Sequence, residues 1–114
     1  MSSPVEPSWN PMPLGALTVT AGTPVSVLAN YPTYTGLVAN KVDFQNLNSP
    51  GVGQVYIGYS GMNTTTVEGV LKVLQPGESW SLTHNVGLNV IPVKDLVVDG
   101  ASSGDLVLVS CHIA

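Results

Sequence analysis

Apolar residues recur at every second position through most of this chain. In ALTVT, residues 16–20, Leu17 and Val19 fall on one side, and in VSVLA, 25–29, Val25, Val27 and Ala29 do so. KVDFQNL, 41–47, sets Val42 and Phe44 against Lys41, Asp43 and Gln45; QVYIGY, 54–59, aligns Val55, Ile57 and Tyr59. Successive side chains of a strand point to opposite faces, so each stretch predicts a strand buried on one side and wet on the other. Shorter strands are predicted at VLKVL, 70–74, and at SWSLTH, 79–84, where Trp80 and Leu82 point inward together. LNVIPVKDLVV, 88–98, reads as a strand pair or as one bent strand broken near Pro92. No window keeps a helical period over three turns.

The segments between are rich in Gly, Pro, Asn and Ser, the residues of turns and loops. They are AGTP at 21–24, NYPTYTG at 30–36, NSPGVG at 48–53, SGMNTTTVEG at 60–69 and DGASSG at 99–104. QPGE, 75–78, puts proline second and glycine third, the requirement of a type II turn. About eight short strands at regular spacing predict an all-β fold, an antiparallel sandwich or barrel.

The last run, DLVLVSCHI at 105–113, breaks the pattern because it is apolar at both alternations: Leu106 and Leu108 on one face, Val107, Val109 and Ile113 on the other. A strand covered on one side alternates. This one is therefore expected to be central, or covered on its outer face by another subunit, and Val107, Val109 and Ile113 are candidate interface positions.

At the other end, residues 1–13 carry Pro4, Pro7, Pro11 and Pro13. Proline lacks the backbone donor and fixes φ, so an extended arm that joins no sheet is predicted over 1–13, ahead of a single sandwich domain over 14–114. Trp9 needs a place to bury its ring, either on its own domain or on a neighbour. Trp9, Pro11 and Pro13 join the candidate interface positions, together with Tyr31 and Tyr34 of the 30–36 loop.

Charge changes this picture most. Only 9% of the 114 residues are charged, against about 25% in typical soluble domains. Ser, Thr, Asn and Gly must cover the surface instead, and neutral hydroxyls and amides are cheaper to desolvate than ions. Such a surface suits packing into an assembly, because interface cores are depleted in charge. A secreted or thermally robust β domain with a hydroxyl-rich face is the plainer alternative. Lys41, Lys72 and Lys94 are the only cations, and the net charge is −4. Binding nucleic acid or an anionic membrane calls for clustered Lys and Arg, so neither partner is expected. One cysteine, Cys111, allows no internal disulfide. The first residues lack a basic region followed by an apolar one, and no apolar run reaches the length of a membrane span, so synthesis and folding in a cytoplasm are expected.

Candidate chemistry is sparse. His84 and His112 are the two histidines. His112 adjoins Cys111, yet strand neighbours face opposite ways, so Cys111 reads as a buried apolar residue rather than a nucleophile. His84 reads as a loop-side donor. The acids Glu6, Asp43, Glu68, Glu78, Asp95, Asp99 and Asp105 sit mostly beside turns. DGASSGD, 99–105, lacks the alternating ligands and distal Glu of a calcium loop. NTT, 63–65, fits a glycosylation acceptor, but without a secretion signal it is a coincidence. No enzyme, cofactor or metal is expected.

VYIG at Val55–Gly58, the run Gly69–Ser79 with its PGES turn, and DGASSGDLVLV near the end together resemble small jelly-roll proteins of tailed bacteriophages. These include head decoration, or cement, proteins and modules of tails and fibres. The likeness spans about residues 16–113. It implies a jelly roll with an N-terminal arm, often trimeric, that binds the major capsid protein on the virion surface and stabilises the head. A receptor- or carbohydrate-binding module of a tail or fibre is the alternative, with Tyr31, Tyr34, Tyr59 and Trp80 stacking on sugar rings.

Overall fold

The alternating stretches become paired strands in a computed structural model of the chain, which describes residues 11–49, 53–83, 90–102 and 104–113. The strands are β1 (Pro11–Thr18), β2 (Val25–Ser26), β3 (Val38–Asn46), β4 (Val55–Asn63), β5 (Glu68–Leu74), β6 (Ser79–Thr83), β7 (Ile91–Pro92), β8 (Leu96–Gly100) and β9 (Leu106–Ile113). A single 3₁₀ turn, Val93–Asp95, links β7 to β8. One sheet runs β1-β9-β3-β6, with β7 pairing the start of β3; the other runs β2-β8-β4-β5. Every pair is antiparallel.

This connectivity is a two-stranded ribbon rolled on itself. Its rungs are β1·β9, β2·β8, β3·β6 and β4·β5, and they fall alternately in the first and second sheet. The pairs β9·β3 and β8·β4 then close each sheet. The result is a jelly roll, the all-β sandwich expected from the spacing of the strands. The core lies between the sheets. Phe44, Leu14, Ile57, Leu74, Leu96, Val98, Val107 and Val109 are among its fully buried side chains, with Trp80 and Leu82 packed at its rim.

Local chemistry explains most of the boundaries. In the 75–78 turn Gly77 has φ of 85°, the left-handed conformation that the third turn position demands. Asn46, fully buried, ties three segments together. Its Nδ2 donates to the carbonyls of Leu74 at 3.0 Å and Gly53 at 3.2 Å, and its Oδ1 accepts from the Asn48 amide at 2.9 Å.

Three expectations change. Residues 11–13, assigned to an unpaired arm, belong to β1, where Pro11, Met12 and Pro13 pair with His112, Cys111 and Ser110. β1 is an edge strand, where proline's missing donor costs no ladder bond if it faces outward. The strand predicted over 25–29 stops after Ser26, whose Oγ accepts from the Leu28 amide and starts a run of turns. The polar 60–69 loop is mostly strand: β4 continues to Asn63 and β5 starts at Glu68. Its polarity marked a solvent-facing hairpin, and Met62 is its one buried side chain, lying over Gly58. Residues 1–10, with Trp9, and residues 84–89, with His84, lie outside the described part.

Candidate binding surface

Strand parity separates the two faces of the first sheet. Phe44 of β3 pairs with Trp80 of β6 and Val109 of β9, and all three turn toward the second sheet. The Phe44 and Trp80 rings stack with centroids 6.0 Å apart. The neighbouring rows therefore turn outward. Asp43 pairs with Ser81 and Ser110, Gln45 with Ser79 and Leu108, and Lys41 with Thr83 and His112. On β1, Pro13 stands beside Ser110 and Ala16 beside Leu108. No described strand or loop forms a layer over this face.

Its centre is a shallow depression of about 280 Å³, lined by Asp43, Gln45, Ser79, Ser81, Leu108 and Ser110. Asp43 organises one end of it. The Ser81 hydroxyl donates to Asp43 Oδ1. Lys41 Nζ lies 3.6 Å from Oδ1 and His112 Nε2 3.7 Å from Oδ2. All three ionisable groups are partly open to solvent, so these pairs orient the side chains more than they stabilise the fold. A serine–histidine–carboxylate relay needs the imidazole between hydroxyl and acid. Here the Ser81 hydroxyl donates a hydrogen bond straight to the carboxylate, with no imidazole between them, a different arrangement. Among the described residues no group of three or more His, Cys, Asp or Glu side chains could hold a metal ion.

The other end of the face is apolar. Leu106 and Leu108 are 37% and 40% exposed, and Leu47 is exposed where its amide bonds the Leu106 carbonyl at 3.0 Å. The apolar residues of β9 thus divide by parity, and the assignment of Val107 and Val109 to an interface is corrected. Both are 0% exposed in the core, where no partner reaches them. Ile113 is half-buried on the same inward parity. The apolar residues that β9 leaves open to solvent are Leu106 and Leu108. The sequence signal was present, since both alternations were apolar, but which one turned outward depended on pairing with β1 and β3.

Pro11 and Pro13 are exposed on the outward parity, next to His112 and Ser110. Tyr31 and Tyr34 are exposed in the loop between β2 and β3, stacked with ring centroids 5.4 Å apart. Trp9 lies outside the described residues. The Lys41–Asp43–His112 cluster was missed from the sequence, because it joins β3 to a strand at the far end of the chain. Beneath it, Cys111 is fully buried, and burial followed by the nearby Asp43 charge pushes its thiol above the ordinary 9.0. Comparison of the sequence with protein-family models and with curated proteins finds no match to either.

Proposed function

We propose that this chain is a structural virion protein that lies with its β1-β9-β3-β6 sheet against a protein shell: a decoration, or cement, protein on the head of a tailed phage, bound to the major capsid protein. The observation that carries this reading is the outward face of that sheet. It joins exposed Leu106 and Leu108 to a field of Ser, Thr and Gln side chains, and its few charges are already paired among themselves. Covering it releases water from apolar area at about 25 cal/mol per Å² and strips few ions. The low charge of the whole chain and its resemblance to phage jelly rolls support the same reading. Many copies, each weakly held, would together stiffen a shell through multivalent contact.

The test mixes the purified chain with emptied, expanded heads of the virus that encodes it. The chain should co-sediment with the heads and raise their melting temperature. If it sediments with no head, the proposal is wrong. A receptor- or glycan-binding role in a tail or fibre is the second reading, favoured by the exposed Tyr31–Tyr34 stack. Clear glycan-array signals that vanish in Tyr31→Ala or Tyr34→Ala would establish that role instead.

A further inference from the structure

Among the described residues five strands lie at the edges of the two sheets: β1, β6 and β7 on one, with β6 and β7 along the same side of β3, and β2 and β5 on the other. An edge strand presents unpaired backbone donors and acceptors that accept another strand, and proteins block this with proline, charge, bulges or brevity. β1 carries Pro11, Pro13 and a register shift between Pro13 and Gly15. β2 and β7 have two residues each, and β7 carries Pro92. β5 carries Glu68 and Lys72, and its register against β4 shifts twice. β6 has none of these devices. Its sequence SWSLT holds no proline and no charge, its register with β3 is unbroken, and among the described residues no strand pairs with its outer edge.

We infer that β6 is a self-association edge, and that β6 of a second copy adds to it antiparallel across a two-fold axis through Ser81. In this register Ser81 faces Ser81 of the second copy, Trp80 faces Leu82, and Ser79 faces Thr83. The segment is complementary to itself. Hydroxyls meet hydroxyls, no like charges meet, and Trp80 and Leu82, half-covered at the rim of their own core, cover each other across the axis. These properties single out a second copy as the occupant. The two first sheets become one continuous sheet. Five residues make a small contact by the standards of stable interfaces, so the dimer is weak and concentration-dependent in solution. Copies held side by side on a surface would form it readily. The two-fold contact differs from the three-fold assembly that the phage resemblance implies, and it stands independently of the shell reading.

Sedimentation equilibrium from micromolar to millimolar concentration tests it. The wild type should shift from monomer to dimer, with slowed hydrogen exchange at β6. Ser79→Glu with Thr83→Glu sets like charges opposite each other at both ends of the contact and should weaken dimerisation about tenfold or more. Ser79→Lys with Thr83→Glu sets opposite charges there and should dimerise at least as well as the wild type. All the altered side chains are exposed, and Ser81→Lys, with like charges meeting on the axis, serves if the double Glu variant does not fold. A wild type that stays monomeric at millimolar concentration overturns the inference. So does an assembly other than a dimer, or equal dimerisation of the two double variants. Head binding is measured separately, so a monomer that still binds heads overturns this contact alone.

Discussion

Replacing Leu106 and Leu108 together by serine tests which face of the molecule docks. Leu106 is 37% and Leu108 40% exposed, so roughly two-fifths of each side chain is left for a partner to cover. Complete burial of a leucine stabilises by about 1.5–3 kcal/mol. The uncovered share is then worth about 0.6–1.2 kcal/mol per residue, or about 1.2–2.4 kcal/mol for the pair. Each 1.4 kcal/mol is a factor of about ten, so the double variant should bind heads roughly ten- to fiftyfold more weakly. The three-fifths of each side chain already covered supports the fold, so the variant should unfold at lower urea while staying folded without it. The assay is co-sedimentation with emptied heads over a concentration series, beside a urea melt of the free protein. A folded variant whose affinity stays within about twofold of the wild type refutes the docking of this face. The same measurement on Tyr31→Ser with Tyr34→Ser tells whether the loop contributes instead.

Three further outcomes are expected. Asn46→Ala removes both Nδ2 bonds and the Oδ1 bond at a fully buried site, leaving the buried Leu74 carbonyl without its side-chain donor. It should cost about 2–4 kcal/mol in urea melts, and a loss below about 1 kcal/mol would show that other groups satisfy these atoms. Val67 is a β-branched residue at φ of 58° and 59% exposed, so Val67→Asn should raise stability by about 1 kcal/mol, read as a melting temperature several degrees higher. An unchanged or lower melting temperature would mean that the turn carries no strain. Cys111 should react with thiol reagents only as fast as the chain unfolds. Its raised folded-state pKa adds stability that is fully present below the ordinary 9.0 and lost as pH climbs beyond it, because the unfolded thiol then ionises first. The wild type should therefore lose more stability than Cys111→Ala between neutral pH and alkaline pH above 9.0, and equal losses would contradict this.

Much of the fold was legible because the period of two is a local property. KVDFQNL and QVYIGY alternate cleanly, and β3 and β4 lie where those stretches do. The QPGE turn was legible for the same reason: its proline and glycine satisfy a local dihedral requirement, and Gly77 has the positive φ expected of it. Failures came where a neighbour decided the outcome. Pro11 and Pro13 exclude a central strand but not an edge, and edge position follows from β9 arriving on one side only. The polar residues of 60–63 looked like a loop because all but Met62 there are exposed, and wetness does not distinguish a loop from an exposed strand.

Parity along β9 matters most for function, because one alternation builds the fold and the other meets the world. The sequence of that strand says that both are apolar and cannot rank them. A single long-range pairing settles it: Phe44 opposite Val109 sends Val107 and Val109 inward and leaves Leu106 and Leu108 outside. Leu106 and Leu108 each leave about two-fifths of their surface open to water on a central strand, apolar area that a covering protein would desolvate. Their presence on the same face as a paired, nearly neutral charge cluster is the physical reason to regard that face as built for covering. Substitutions along β9 should therefore sort by odd and even number, with odd positions changing stability and even positions changing binding.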